Sequence, residues 1–381
     1  MTNKPLNKKP LLNKNQFNRT HGAAMYCVAI ISTMAVNIVA TFIWAFISMR
    51  NGHDLGEMPP ITKLYGLIFN ILIQVGFISA FFLFVKSAQA RPRLDIKFKI
   101  SPVWYISSFA FGFVSILAFM GISFLFAHLL NSLNLTFADP FIRDNISTDI
   151  LMVFAVVIMA PIGEELIFRG GLLSGLRKKL SPFLAALASG ALFSLMHMTP
   201  QQTVYQFFLG FAAAYLTMYS GSVIPAILFH AASNLFAVLG YFVKPVEWFF
   251  DDFYLFLSSN LAIGIPLAVV AAAAGVAFFI FVPKLLSKWK GGSFKKDFCK
   301  LEEEKEAEQR RMDKELDEVI AGKKDSIVLS DEAKEIEKLK HQLAIKPQTT
   351  AFENSRFFAW IFPAIIICLF MWFVSLIVAF S

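Results

Sequence analysis

Ala160-Pro161-Ile162-Gly163-Glu164-Glu165-Leu166-Ile167-Phe168-Arg169-Gly170 is the stretch whose reading decides the fold. It sets two adjacent carboxylates and a guanidinium at the end of an apolar run that begins at Ile150. Ionisable groups at membrane depth are costly and face a protein interior or a watery cavity, so they mark a functional site by default. On a helix Glu165 and Arg169 are four apart and share a face, which suits an ion pair. Glu164 points roughly 100° away and is not claimed by that arginine. One carboxylate is then held charged, and the other is free to titrate or to meet a substrate. The competing reading is a structural ion pair that pins two helices.

Whether this stretch lies in a membrane follows from its surroundings. Hydrophobic residues make up 56% of the 381-residue chain, 43 of them phenylalanine. Mean hydropathy is +0.60. The apolar residues come in runs of twenty or more, where a soluble domain would show short periodic ones. The fold expected is therefore an all-α, polytopic transmembrane helical bundle. The formal net charge of +8 reads as topology and lipid-headgroup contact and not as nucleic-acid binding. Cys27, Cys299 and Cys368 show neither pairing nor metal-ligand spacing, which speaks against a disulfide framework.

Working outward, residues 1–22 form a basic tail with Lys4, Lys8, Lys9, Lys14 and Arg19 and no acid. The run that follows is too long for a signal-peptide core and reads as a retained span. Spans are expected at 23–49, 65–85, 103–130, 150–170, 182–199, 203–219, 223–243, 254–282 and 357–380, nine in all. Basic clusters at 86–101 and 177–179 alternate with acidic loops at 139–149 and 244–252. By the positive-inside rule this puts the N-terminus in the cytoplasm and the C-terminus outside. The resulting division is a tail (1–22), N-terminal spans (23–148), a catalytic core (149–245), an eighth span (246–283), a charged segment (284–356) and a last span (357–381). Residues 284–356 hold 33 of the 62 charged residues with the signs nearly balanced, so they read as a cytoplasmic helical segment. That segment is also the candidate surface for a protein partner.

Two further polar insertions follow the glutamates. They are Phe193-Ser194-Leu195-Met196-His197 and His230-Ala231-Ala232-Ser233-Asn234, each with its chemistry-bearing pair four apart on one helical face. Glu164 lies sixteen residues before Leu180 and His197 sixteen after Ser181, so both sit roughly 24 Å from that turn. His230 and Asn234 count as shallower, roughly 12 and 18 Å from the next turn at Ser222. A carboxylate and a neutral imidazole flanking one water can deprotonate it for attack on a peptide carbonyl. A second histidine with an asparagine one turn away can then donate hydrogen bonds to the tetrahedral intermediate. There is no His-Glu-x-x-His helix and no Gly-x-Ser-x-Gly elbow. Two histidines and two glutamates are also donors for zinc. The arginine and asparagine fit an acid–base site better, so no cofactor is expected.

Glu-Glu-x-x-x-Arg, Phe-x-x-x-His and His-x-x-x-Asn in this order resemble the three motifs of the CAAX protease and bacteriocin-processing (Abi) family, whose eukaryotic relatives are the type II CAAX prenyl endopeptidases. The resemblance covers roughly residues 150–240 and fills every motif position: Glu164, Glu165, Arg169, Phe193, His197, His230 and Asn234. It implies a metal-independent intramembrane endopeptidase in which Glu164 and His197 activate water and His230 and Asn234 form the oxyanion site. Phe168 and Phe193 would pack the site or touch substrate. The partners it implies are membrane lipids and a hydrophobic peptide or membrane-protein substrate. The Lys/Asn-rich N-terminus looks bacterial, which favours a peptide pheromone, bacteriocin or membrane protein over a prenylated CAAX substrate and implies the plasma membrane. The alternative is a non-catalytic scaffold, or a protein of bacteriocin self-immunity or signalling control.

Overall fold

The structure is a computed structural model that describes residues 17, 19–53, 62–88, 96–135, 145–177, 179–289 and 349–380. Nearly all of the charged segment, with Cys299, lies outside these residues, as does most of the basic tail. Among the described residues every element is helical: α1 (Arg19–Arg50), α2 (Lys63–Ala88), α3 (Pro102–Ser132), α4 (Ile146–Leu176), α5 (Pro182–Met196), α6 (Thr203–Ser220), α7 (Ile224–Leu239), α8 (Lys244–Ser259), α9 (Leu261–Trp289) and α10 (Thr349–Phe380).

Local signals in the sequence set these boundaries. Asn145 caps α4 by accepting from the Thr148 amide at 3.0 Å, and Ser181 caps α5 ahead of a first-turn proline. Gly221 ends α6 at φ 72°, a left-handed conformation that glycine adopts without a Cβ clash. Large apolar side chains such as Phe42, Phe46, Ile366 and Phe370 are exposed along α1 and α10. Their natural solvent is lipid, and the molecule is an integral membrane protein.

The nine expected stretches are all helical, but the count of spans is corrected. Among the described residues six helices are long and apolar enough to cross a bilayer alone, and the bent pair α7–α8, with 94° between its halves, makes seven if it is one span. The 15-residue α5 is about 22 Å long, short of a hydrocarbon core of about 30 Å. In α6, Gln206, Thr217 and three tyrosines lower the apolarity of the helix. It tolerates them because it is packed between α3, α5, α7 and α9, and every residue from Leu209 to Ser220 is buried. A helix surrounded by protein need not match lipid. The expected eighth span also divides at Asn260: residues 254–259 belong to α8 and the long helix starts at Leu261.

The turn at Ser220-Gly221-Ser222 is sunk into the protein, with Ser222 fully buried. Its hydroxyl donates to the Lys97 carbonyl at 3.0 Å and accepts from the Lys97 amide at 3.2 Å.

Candidate active site

The glutamates sit on α4, whose hydrogen-bond ladder is uneven. Two stretches with wider π-type bonding, Phe154–Met159 and Leu166–Leu173, flank an α-helical Ala160–Glu165. Pro161, which has no N–H to donate, lies where the ladder changes. Such bulges often mark functional sites, because they re-aim side chains within a continuous helix. Here they flank the two glutamates and contain the arginine.

Glu165 and Arg169 are both fully buried, with Oε2 and Nε 3.0 Å apart. The approach is oblique, an ion pair and not an aligned hydrogen bond. The guanidinium donates through Nη2 to the Gly210 carbonyl at 2.9 Å and lies over the Phe193 ring, 4.6 Å from its centroid. Cation–π contact is strongest where water is excluded. The other Glu165 oxygen, Oε1, is 3.0 Å from Nδ1 of His230, which is itself 2% exposed. A carboxylate only accepts, so Nδ1 carries the proton there.

Glu164 is also buried but faces elsewhere. Its Oε1 accepts from the Gln74 amide of α2 at 3.2 Å, and its Oε2 is buried with no hydrogen-bond partner among the described residues. Close approach of α2 needs Gly163, since a Cβ at that position would collide with Gln74 Oε1. Glu164 lies within electrostatic reach of His230, Glu165 and Arg169. His197 lies within reach of His230 and Arg169.

His197 follows the last turn of α5, half-buried, and its Nδ1 is 2.9 Å from the Phe193 carbonyl. A carbonyl cannot donate, so Nδ1 is the donor and Nε2 of the neutral ring has a free lone pair. The next residue, Met198, is left-handed at φ 55°, an uncommon conformation for a non-glycine side chain that turns the chain sharply after the histidine. Phe193 is the hub of the cluster. Its ring meets Phe168 at 5.0 Å, His197 at 5.0 Å and His230 at 5.7 Å, each near edge-on.

The structure thus gathers Glu164, Glu165, Arg169, Phe168, Phe193, His197 and His230 into one cluster. Asn234 stands one turn beyond His230 and donates to the Val156 carbonyl of α4 at 2.8 Å. That bond engages one of its two amide hydrogens with a backbone carbonyl in the π-type stretch, where an open oxyanion donor was expected. Among the described residues no group of three or more His, Cys, Asp and Glu is arranged to hold a metal ion. Of the residues that could donate to zinc, Glu165 engages Arg169 and His230, and Nδ1 of His197 meets a carbonyl. The sequence reading passed over Gln74, although a glutamine inside the apolar run 65–85 carried the same signal as the glutamates.

Fold and site together define a polytopic helical membrane protein with a buried polar cluster walled by phenylalanine. Residues 146–236 match the family model described as Rce1-like, type II CAAX prenyl endopeptidase Rce1-like. The matched segment runs from the start of α4 into α7 and contains all seven motif residues; Gln74 lies outside it. Comparison with curated proteins and with solved structures gave no match.

Proposed function

We propose that the protein is an intramembrane endopeptidase that hydrolyses a peptide bond in a membrane-associated peptide or protein, with Glu164 as the base. The observation that carries this reading is Glu164 itself. One of its oxygens is held by Gln74 and the other is buried with no partner among the described residues, beside an Arg169–Glu165–His230 group that already holds the neighbouring carboxylate. A carboxylate needed only for packing would be expected to have both oxygens satisfied.

In this reading Glu164 Oε2 takes a proton from a water molecule while Nε2 of His197 accepts a hydrogen bond from it. The oxygen attacks the scissile carbonyl and gives a tetrahedral oxyanion. His230, whose Nδ1–H points at Glu165, can offer Nε2–H when its ring is cationic, and the second amide hydrogen of Asn234 is the other donor. Collapse breaks the C–N bond, and the proton held by Glu164 passes to the leaving amine. The products are a carboxylate and an amine. Phe168 and Phe193 keep bulk water out, which strengthens every charge interaction within.

The remaining elements of the reading rest on sequence. Basic clusters support a cytoplasmic N-terminus, and the Lys/Asn-rich N-terminus supports a bacterial plasma membrane. Apolar surroundings support a hydrophobic peptide, pheromone, bacteriocin or membrane protein as substrate, and residues 284–356 are the candidate partner-binding segment.

The test is detergent-purified protein against a quenched-fluorescent peptide library, wild type beside Glu164→Ala. Cleavage by the wild type that disappears in a normally folded Glu164→Ala supports the reading. Equal cleavage by both, or none by either in folded protein, overturns it.

A further inference from the structure

Among the described residues, one side chain outside the matched segment hydrogen-bonds to the candidate base. Gln74 lies midway along α2, is 3% exposed, and donates through Nε2 to Glu164 Oε1 at 3.2 Å. Because an ionised carboxylate only accepts, this orientation is the one that suits a charged Glu164. The other end of the amide, Oε1, is buried without a hydrogen-bond partner among the described residues and sits over Gly163, where any larger residue would displace it. A buried amide left half-satisfied costs stability, and such sites call for an explanation beyond packing. A methionine would fill the same space without that cost.

We infer that Gln74 is a positioning residue for Glu164: its amide occupies Oε1, fixes the carboxylate plane and leaves Oε2 as the oxygen that takes the proton. Gly163 is part of the device, since its missing side chain lets α2 approach the turn that bears Glu164. The two are adjacent, so the same backbone turn presents the glutamate and receives the amide that orients it. The ion pair at the outer end of the same helix pair, Lys63 Nζ to Asp149 at 3.2 Å, sets α2 and α4 side by side. The inference rests on the protease reading, because a base is oriented only where Glu164 works as one.

The test is a double-mutant cycle on the best-cleaved library peptide, with Gln74→Met and Glu164→Gln alone and combined. Loss of a hydrogen bond to a charged group predicts about a 10- to 100-fold fall in kcat for Gln74→Met. KM should stay within about twofold and the melting temperature should hold, because the methionine keeps the packing. On the Glu164→Gln background, Gln74→Met should add no further loss, since there is no carboxylate left to orient. Should Gln74→Met fail to fold, Gln74→Leu takes its place in the cycle. Wild-type kcat in a folded Gln74 variant, with Glu164→Gln inactive, overturns the positioning role and leaves the protease reading standing. So does an equal fractional loss on both backgrounds, the signature of a packing role. Wild-type turnover in Glu164→Gln overturns the protease reading, and the positioning role with it.

Discussion

Replacing Glu165 by glutamine removes one charge and almost nothing else, and its cost can be worked from the site. Arg169 and Glu165 are both fully buried, so the guanidinium would be left without a counter-charge. Removing one partner of a buried ion pair costs about 3–5 kcal/mol. The Arg169 bond to Gly210 and its contact with Phe193 exist before and after the change, so they offset none of this. His230 keeps an acceptor in the glutamine carbonyl but loses the charge-assisted half of that bond, which pushes the cost toward the upper end. Against a typical stability of about 5–15 kcal/mol this is a large fraction. For a 381-residue chain it corresponds to a melting temperature lowered by about 4–6 °C. The assay is thermal unfolding of detergent-purified protein. Glu165→Gln should melt low and give a poor folded yield, and Glu165→Gln with Arg169→Gln should recover most of the loss. Glu164→Gln leaves no cation unpaired, so it should melt as the wild type does while turnover falls by about 10²–10⁴-fold. Wild-type melting of Glu165→Gln, or equal melting of the two single glutamine variants, would refute the division of labour between the carboxylates.

Phe193→Ala should cost about 3–5 kcal/mol and lower activity beyond what instability explains, because one ring seats Arg169, His197 and His230; proteolysis-resistance and turnover measured together check both. Truncation after Pro283 removes α10, whose Ala364 and Cys368 are fully buried and whose Trp372 donates to Thr203 at 2.9 Å. A shortened chain should therefore melt well below the intact one, and unchanged melting and turnover would show α10 to be peripheral. Reporter fusions at the two termini test topology: an odd number of crossings puts them on opposite sides, with the N-terminus cytoplasmic. Both ends on one side would require an even number of spans and refute the seven-span and the nine-span counts alike.

Much of this was legible because a bilayer makes sequence unusually explicit. Apolar runs of twenty or more residues can only be helices, and polar residues within them are too costly to be incidental, so α1–α3, α4 and α10, along with Glu164, Glu165, Arg169, His197, His230 and Asn234, stood out from the chain itself. The i,i+4 spacing of Glu165 and Arg169 was enough to foresee their pairing, because both lie on one continuous helix. What sequence could not decide were matters between helices. That α6 is shielded by protein, and so is not judged by lipid, depends on which neighbours surround it. That His230 reaches Glu165 depends on how α7 packs against α4, which no residue count along α7 reveals. That Gln74 and not His197 holds Glu164 depends on α2 closing onto Gly163. Periodicity along one helix states which residues share a face; only packing states what that face meets.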